Sequence, residues 1–71
     1  MSGRDATRQL LIAVSREDVV DVDLVARALS VSKRTMLRDW RRRNLPETRV
    51  GKEIRLSSDL VIETYFKHHA D

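Results

Sequence analysis

Between Arg4 and Ser15 the apolar residues Ala6, Leu10, Ala13 and Val14 recur at helical spacing, and Leu11 and Ile12 widen their stripe. The segment reads as a helix, although Leu10 to Val14 alone also fits a short buried strand. Val22, Val25, Ala26 and Leu29 then predict a second helix of about two turns. Asp21 stands where its N-cap belongs, with Val20 before it and Val25 placed to close a hydrophobic staple. That helix stops at Ser30-Val31-Ser32, where two hydroxyl residues flank one apolar residue. Ser32 is a good N-cap for a third helix, whose Met36, Leu37 and Trp40 share one face. Asn44 tolerates the left-handed conformation of a helix end, and Pro46 stops any continuation. From Thr48 to Leu56, the apolar Val50, Ile54 and Leu56 surround Gly51-Lys52, as in a two-stranded hairpin with Gly51 supplying the turn and Lys52 at its tip. Ser57 or Ser58 caps a last helix from Asp59 to Lys67, and Asp59 in its first turn suits the helix dipole.

The second and third helices, joined by a short turn with Val31 tucked between them, make a helix-turn-helix. At 100° per residue, with Arg34 as zero, Arg38 lies near about 40°, Arg42 near about 80° and Arg41 near about 340°. Met36, Trp40 and Leu37 lie near about 200°, 240° and 300°. The basic and apolar stripes of the third helix therefore point in different directions, and Trp40 belongs to the core rather than to a base-stacking surface.

Charge sharpens this picture. Residues 30 to 56 hold Lys33, Arg34, Arg38, Arg41, Arg42, Arg43, Arg49, Lys52 and Arg55 against only Asp39, Glu47 and Glu53, while the net charge of the whole chain is +3. Such a concentration builds a positive face, whose commonest partner is a polyanion. With 71 residues and no cysteine, the chain makes one domain that depends on its core, without disulfides or a Cys-based zinc site. A hydrophobic content of 41% suffices for a small helical domain but not for one that encloses a substrate cavity. Leu10 to Val14 is the longest apolar run, too short to span a bilayer, and the first five residues lack the order of a signal peptide, so a soluble, cytoplasmic, nucleoid-associated protein is expected. Adjacent His68 and His69, without Cys or clustered carboxylates, make a poor metal site. The serines sit at caps and no Gly-rich phosphate loop is present, so neither an enzyme nor a cofactor is expected.

From Val20 to Phe66 the chain resembles the excisionase-type winged helix-turn-helix domain, a minimal relative of the MerR regulator DNA-binding domain that includes phage excisionases and AlpA-like regulators. The resemblance rests on Asp21-Val-Asp-Leu-Val-Ala-Arg-Ala-Leu29, Val31-Ser-Lys-Arg-Thr-Met36, Trp40-Arg-Arg-Arg-Asn-Leu-Pro46 and Arg49-Val-Gly-Lys-Glu-Ile-Arg-Leu56. It implies a mainly α fold with a small β-hairpin wing, in which residues 1–19 form a helical extension and residues 20–71 the DNA-binding domain. It also implies a recognition helix in the major groove and a wing in an adjacent minor groove. Carried over by position, Arg34, Arg38 and Arg41 face the groove and Lys52 sits at the wing tip, the same three arginines that the helical wheel selects. The chain departs from the pattern in carrying Ser30 for a turn glycine, Arg43 where Gly is common, and Asp39 at a place usually large and apolar.

An arginine fork can pair bidentately with guanine, whereas a phosphate contact adds affinity without reading sequence. Arg34, Arg38 and Arg41 are candidate readers. Arg42 and Arg43 serve either as phosphate contacts or as partners of the helix dipole. Lys52 is a candidate minor-groove contact, with Arg49 and Arg55 as backbone contacts. Ser32, Lys33 and Thr35 complete the candidate set, although capping is the first role of Ser32 and Thr35. The last helix carries Leu60, Val61, Ile62, Tyr65 and Phe66, which either close the core against the first helix or leave a surplus for a second copy or another protein.

The expected function is a sequence-specific architectural DNA-binding protein of excisionase, or recombination directionality, type. The resemblance implies repeated sites on double-stranded DNA, head-to-tail self-association there, a bent duplex and an integrase partner. A small MerR-like transcriptional regulator is the alternative on the same surface, and a protein-interaction adaptor is a third reading.

Overall fold

Asp21 closes one element and opens the next. The computed structural model describes residues 3–67, with side chains from Asp5 onward. Helix α1 spans Gly3–Arg16, and strand β1 (Val19–Asp21) runs directly into helix α2 (Val22–Ala28). The Asp21 carboxylate accepts from the backbone N–H of Asp23, the capping role its position predicts. Helix α3 (Lys33–Arg42) is likewise capped by Ser32, whose Oγ accepts from Thr35 N–H at 3.1 Å and donates to Thr35 Oγ1 at 2.9 Å. Strands β2 (Thr48–Val50) and β3 (Glu53–Ser57) follow, then helix α4 (Ser58–Val61), capped by Ser57, and a π-helical turn, Ile62–Phe66.

The architecture is mainly helical with a small three-stranded antiparallel sheet in the order β1-β3-β2. Val50 pairs with Glu53 across Gly51-Lys52, and Gly51 has φ +63 while Lys52 does not share the left-handed region, the type II′ pattern that suits a two-residue hairpin. The third strand is the element that periodicity does not foresee. Val19, Val20 and Asp21 pair with Ser57, Leu56 and Arg55, so the hairpin is extended by a strand distant in the chain. Since side chains alternate along a strand, the register puts Val20, Ile54, Leu56 and Arg49 on the face turned to the core, and Arg55, Glu53 and Thr48 on the outer face.

Leu10, Val20, Val22, Val25, Ala26, Met36, Trp40, Leu56 and Val61 form one continuous buried cluster. Leu10 places α1 inside this same core, and Ser58 secures the α1 connection by donating from Oγ to Glu17 O at 2.6 Å and from N–H to Asp18 O at 2.8 Å. Trp40 is wholly buried, and its indole N–H donates to Pro46 O at 3.0 Å. A buried donor left unpaired costs on the order of 1–3 kcal/mol, so this bond fixes where the chain goes after α3.

Several expectations need correction. The last segment is not one regular helix, since after one turn it widens to π geometry, where Tyr65 stacks on Trp40 with ring centroids 6.2 Å apart. Of the two readings of its apolar residues, closing the core is the one seen, because Val61 is buried and Leu60, Tyr65 and Phe66 pack on the core. The exposed large apolar residues are Leu11, Ile12, Val31 and Val50 instead. Val31, expected between the helices, is 39% exposed and lines an open cleft with Met36 and Tyr65. Residues 30 and 44 take the left-handed conformation, with φ 59 at Ser30 and 60 at Asn44, so Ser30 performs a glycine's task with a side chain attached.

Left-handed geometry costs a non-glycine residue roughly 1–2 kcal/mol, part of which glycine returns through its looser unfolded state. Ser30→Gly is therefore expected to stabilise the chain by about 0.5–1 kcal/mol, read as a higher urea midpoint at unchanged slope. Gly51→Ala should destabilise by about 1 kcal/mol through φ alone, since an added Cβ would meet nothing within 4 Å.

Candidate functional site

Helix α3 presents its cations where its two buried residues leave room. Met36 and Trp40 face the core, and Lys33, Arg34, Arg38, Arg41, Arg42 and Arg43 are all exposed. The structure then divides these cations by what holds them. Arg41 forms a two-pronged ion pair with Glu47, Nε to Oε2 at 2.7 Å and Nη2 to Oε1 at 3.0 Å. Arg42 donates from Nη2 to Asp39 Oδ1 at 2.9 Å, and Arg43 from Nε to Asp39 Oδ2 at 2.8 Å. Arg55, on the outer face of the sheet, pairs with Glu53 at 3.0 Å. Lys33, Arg34, Arg38, Arg49 and Lys52 form no ion pair among the described residues.

Each carboxylate of the basic segment is thus committed to an arginine. Asp39 carries the most, because the Tyr65 hydroxyl also donates to its Oδ2 at 2.8 Å. These bonds, from Arg43 first, then Arg42 and Tyr65, hold its carboxyl far below the usual carboxylate range. Arg43 lies over the Tyr65 ring at 5.6 Å, so the flank of α3 is tied to the last segment by a hydrogen bond and a cation–π contact, from two residues that are themselves joined by an ion pair. Burial, then the bond to Asp39, pushes the Tyr65 hydroxyl well above its ordinary value. Glu47 is lowered by its bond to Arg41, and the charge of Arg49 adds to the effect.

Lys33 and Arg34 open α3, and no acid stands in its first turn. Cations there oppose the helix dipole, at a cost of roughly 0.3–1 kcal/mol each. They gather positive charge around backbone N–H groups that lack partners inside the helix, an arrangement suited to an anion.

Of the residues singled out from sequence, Ser32, Lys33, Arg34, Thr35, Arg38, Arg41 and Arg42 come together on α3, with Ser32 and Thr35 engaged in the cap. Arg49 and Lys52 lie on the hairpin, whereas Arg55 lies on the sheet face turned from the core. Asp39, Glu47 and Tyr65 are the members that sequence reading missed. The spacing of Asp39 to Arg42 and Arg43 was a readable i,i+3 and i,i+4 signal, while Glu47 and Tyr65 reach α3 across turns and carry none. His68 and His69, read as a poor metal site, lie outside the described residues. No helix among the described residues is long and apolar enough to cross a membrane. Comparison of the chain with protein-family models, curated proteins and solved structures finds no match.

Because the Asp39 carboxyl is lowered on folding, its stabilising effect is complete above the ordinary carboxylate pKa of about 4 and is lost as pH falls below it. Asp39→Asn is expected to lower the urea midpoint at neutral pH and to flatten its decline below about pH 4. A variant whose acid limb matched that of the parent would assign the acid sensitivity elsewhere.

Proposed function

We propose that the chain is a double-stranded DNA-binding protein in which α3 is the recognition helix and the β2–β3 hairpin the wing of a winged helix-turn-helix. The observation that carries this reading is the row formed by Arg34 and Arg38, exposed and without ion pairs among the described residues, on the side of α3 turned from Met36 and Trp40. Arg34 and Arg38 are the proposed base readers, and Lys33 at the helix start is the proposed phosphate contact. Arg41 and Arg42 can join only by giving up Glu47 and Asp39. Lys52 at the exposed hairpin tip, with Arg49 behind it, is the proposed wing contact, and Arg55 on the outer face falls outside the surface.

The Arg41–Glu47 ion pair supports a shared surface, because it ties the end of α3 to the residue that precedes the first strand of the hairpin. The longest dimension of the chain, 29 Å, is close to one duplex turn of about 34 Å, so one copy covers one turn at most. Limited affinity per copy favours repeated sites and head-to-tail placement on them. The resemblance to excisionases extends the proposal to a recombination directionality role beside an integrase, with the duplex bent between recognition helix and wing. A small transcriptional regulator would use the same surface on a different site.

Binding of a duplex should weaken steeply with salt, with a log–log slope of roughly −0.9 per phosphate neutralised. In anisotropy titrations against a selected duplex, Arg38→Ala should lose about 5- to 150-fold in affinity and relax base preference, the loss of one bidentate contact. Lys52→Ala should weaken all duplexes alike and reduce the slope by about 0.9. Unchanged specific binding by Arg38→Ala, or salt-insensitive binding by the parent chain, would overturn the assignment.

A further inference from the structure

Arg42 stands one helical step beyond Arg34 and Arg38 on the same row of α3, and its side chain is 77% exposed. Nothing steric keeps it from extending that row. What holds it is Asp39, which lies at about 140° on the wheel, on the flank between the cationic row and the core. One oxygen of that carboxylate, Oδ2, is taken by Arg43 at 2.8 Å and by the Tyr65 hydroxyl at 2.8 Å, both on the flank. The other, Oδ1, accepts from Arg42 at 2.9 Å. The acceptor is therefore fixed in place independently of Arg42, and the pair draws the guanidinium sideways, away from the row.

We propose that Asp39 is a specificity-determining positioning residue, which holds Arg42 back from the phosphate backbone so that binding depends on Arg34 and Arg38. The inference rests on the DNA-binding reading and deepens it. An additional arginine on the backbone would raise affinity for every duplex alike, because phosphate contacts carry no base information. Since non-specific sites vastly outnumber specific ones, suppressing such a contact improves discrimination even where it lowers total affinity. Tyr65 and Arg43 supply the anchor for the carboxylate, which accounts for a charged residue at a position beside the packed rings of Trp40 and Tyr65.

The test is a double-mutant cycle on the full chain, read as the salt dependence of binding to a mixed-sequence duplex and to a duplex selected from a random pool. Asp39→Asn should steepen the non-specific slope by about 0.9, so that affinity falls about 3.5-fold more between about 50 and about 200 mM salt than it does for the parent. The ratio of specific to non-specific affinity should fall with it. Arg42→Gln alone should leave the slope near the parent's, and Arg42→Gln added to Asp39→Asn should restore it. Tyr65→Phe, which removes the hydroxyl partner but leaves Arg43 to anchor the carboxylate, should leave the slope near the parent's while lowering stability. Additive effects of Asp39→Asn and Arg42→Gln would mean that Asp39 acts as a general negative charge, and would overturn the proposal. So would an equal steepening by Tyr65→Phe, which would trace the effect to loosened packing. A parent chain with no steep salt dependence overturns the DNA-binding reading itself and this inference with it, whereas a salt-dependent parent with an unaltered Asp39→Asn variant overturns this inference alone.

Discussion

Trp40 sets the rotation of α3 about its own axis, and the remaining surface follows from that rotation. With Trp40 and Met36 enclosed, the helical repeat leaves Arg34 and Arg38 no direction except outward. The indole N–H adds a second constraint, because it must find an acceptor in the interior and finds Pro46 O. The chain leaving α3 is thereby brought back across the helix end, where Glu47 meets Arg41 and β2 begins. One buried side chain thus couples the facing of the cationic row to the start of the hairpin.

The charges are arranged around that frame. So many cations in one short segment repel one another, and the segment contains only Asp39, Glu47 and Glu53 to offset them. Each is spent at an edge: Asp39 on the flank of α3, Glu47 at its end, and Glu53 on the outer face of the sheet. Exposed pairs of this kind add little stability individually, with a median of about 0–1 kcal/mol. Their consequence is positional, since they engage Arg41, Arg42, Arg43 and Arg55 while Arg34 and Arg38 stay clear. The choices that oppose local preference, cations at the α3 N-terminus and a left-handed Ser30 in the turn before it, cluster beside the same helix. Departures of this sort concentrate where a protein uses its surface rather than where it merely folds.

Features that depend on a few consecutive residues were legible beforehand. The caps at Asp21 and Ser32, the left-handed Asn44, the Gly51 turn and the apolar face of α3 each follow from a hydrogen bond or a backbone angle local to the site. Strand β1 was not legible, because three residues show no periodicity and its partners, Arg55 to Ser57, lie far along the chain. The π-helical turn was likewise hidden, since it is seen only where Tyr65 meets Trp40 and Asp39.

Local chemistry along the chain was therefore enough to define the helices α2 and α3, the hairpin, the buried face of α3 and the concentration of basic residues opposite it, while it left α1 open between a helix and a short strand. The pairs of Asp39 with Arg42 and Arg43 and of Glu53 with Arg55 are local as well, and tertiary structure adds the Tyr65 anchor on Asp39 and the return of the chain that brings Glu47 to Arg41. Asp39 and Tyr65 are 26 positions apart, and Glu47 meets Arg41 where the Trp40–Pro46 bond turns the chain back. Periodicity reports the direction in which a side chain leaves its helix and which neighbours on that helix it can meet, but a contact such as that of Tyr65 with Asp39 depends on a distance between two elements, and that distance exists only once the core has closed.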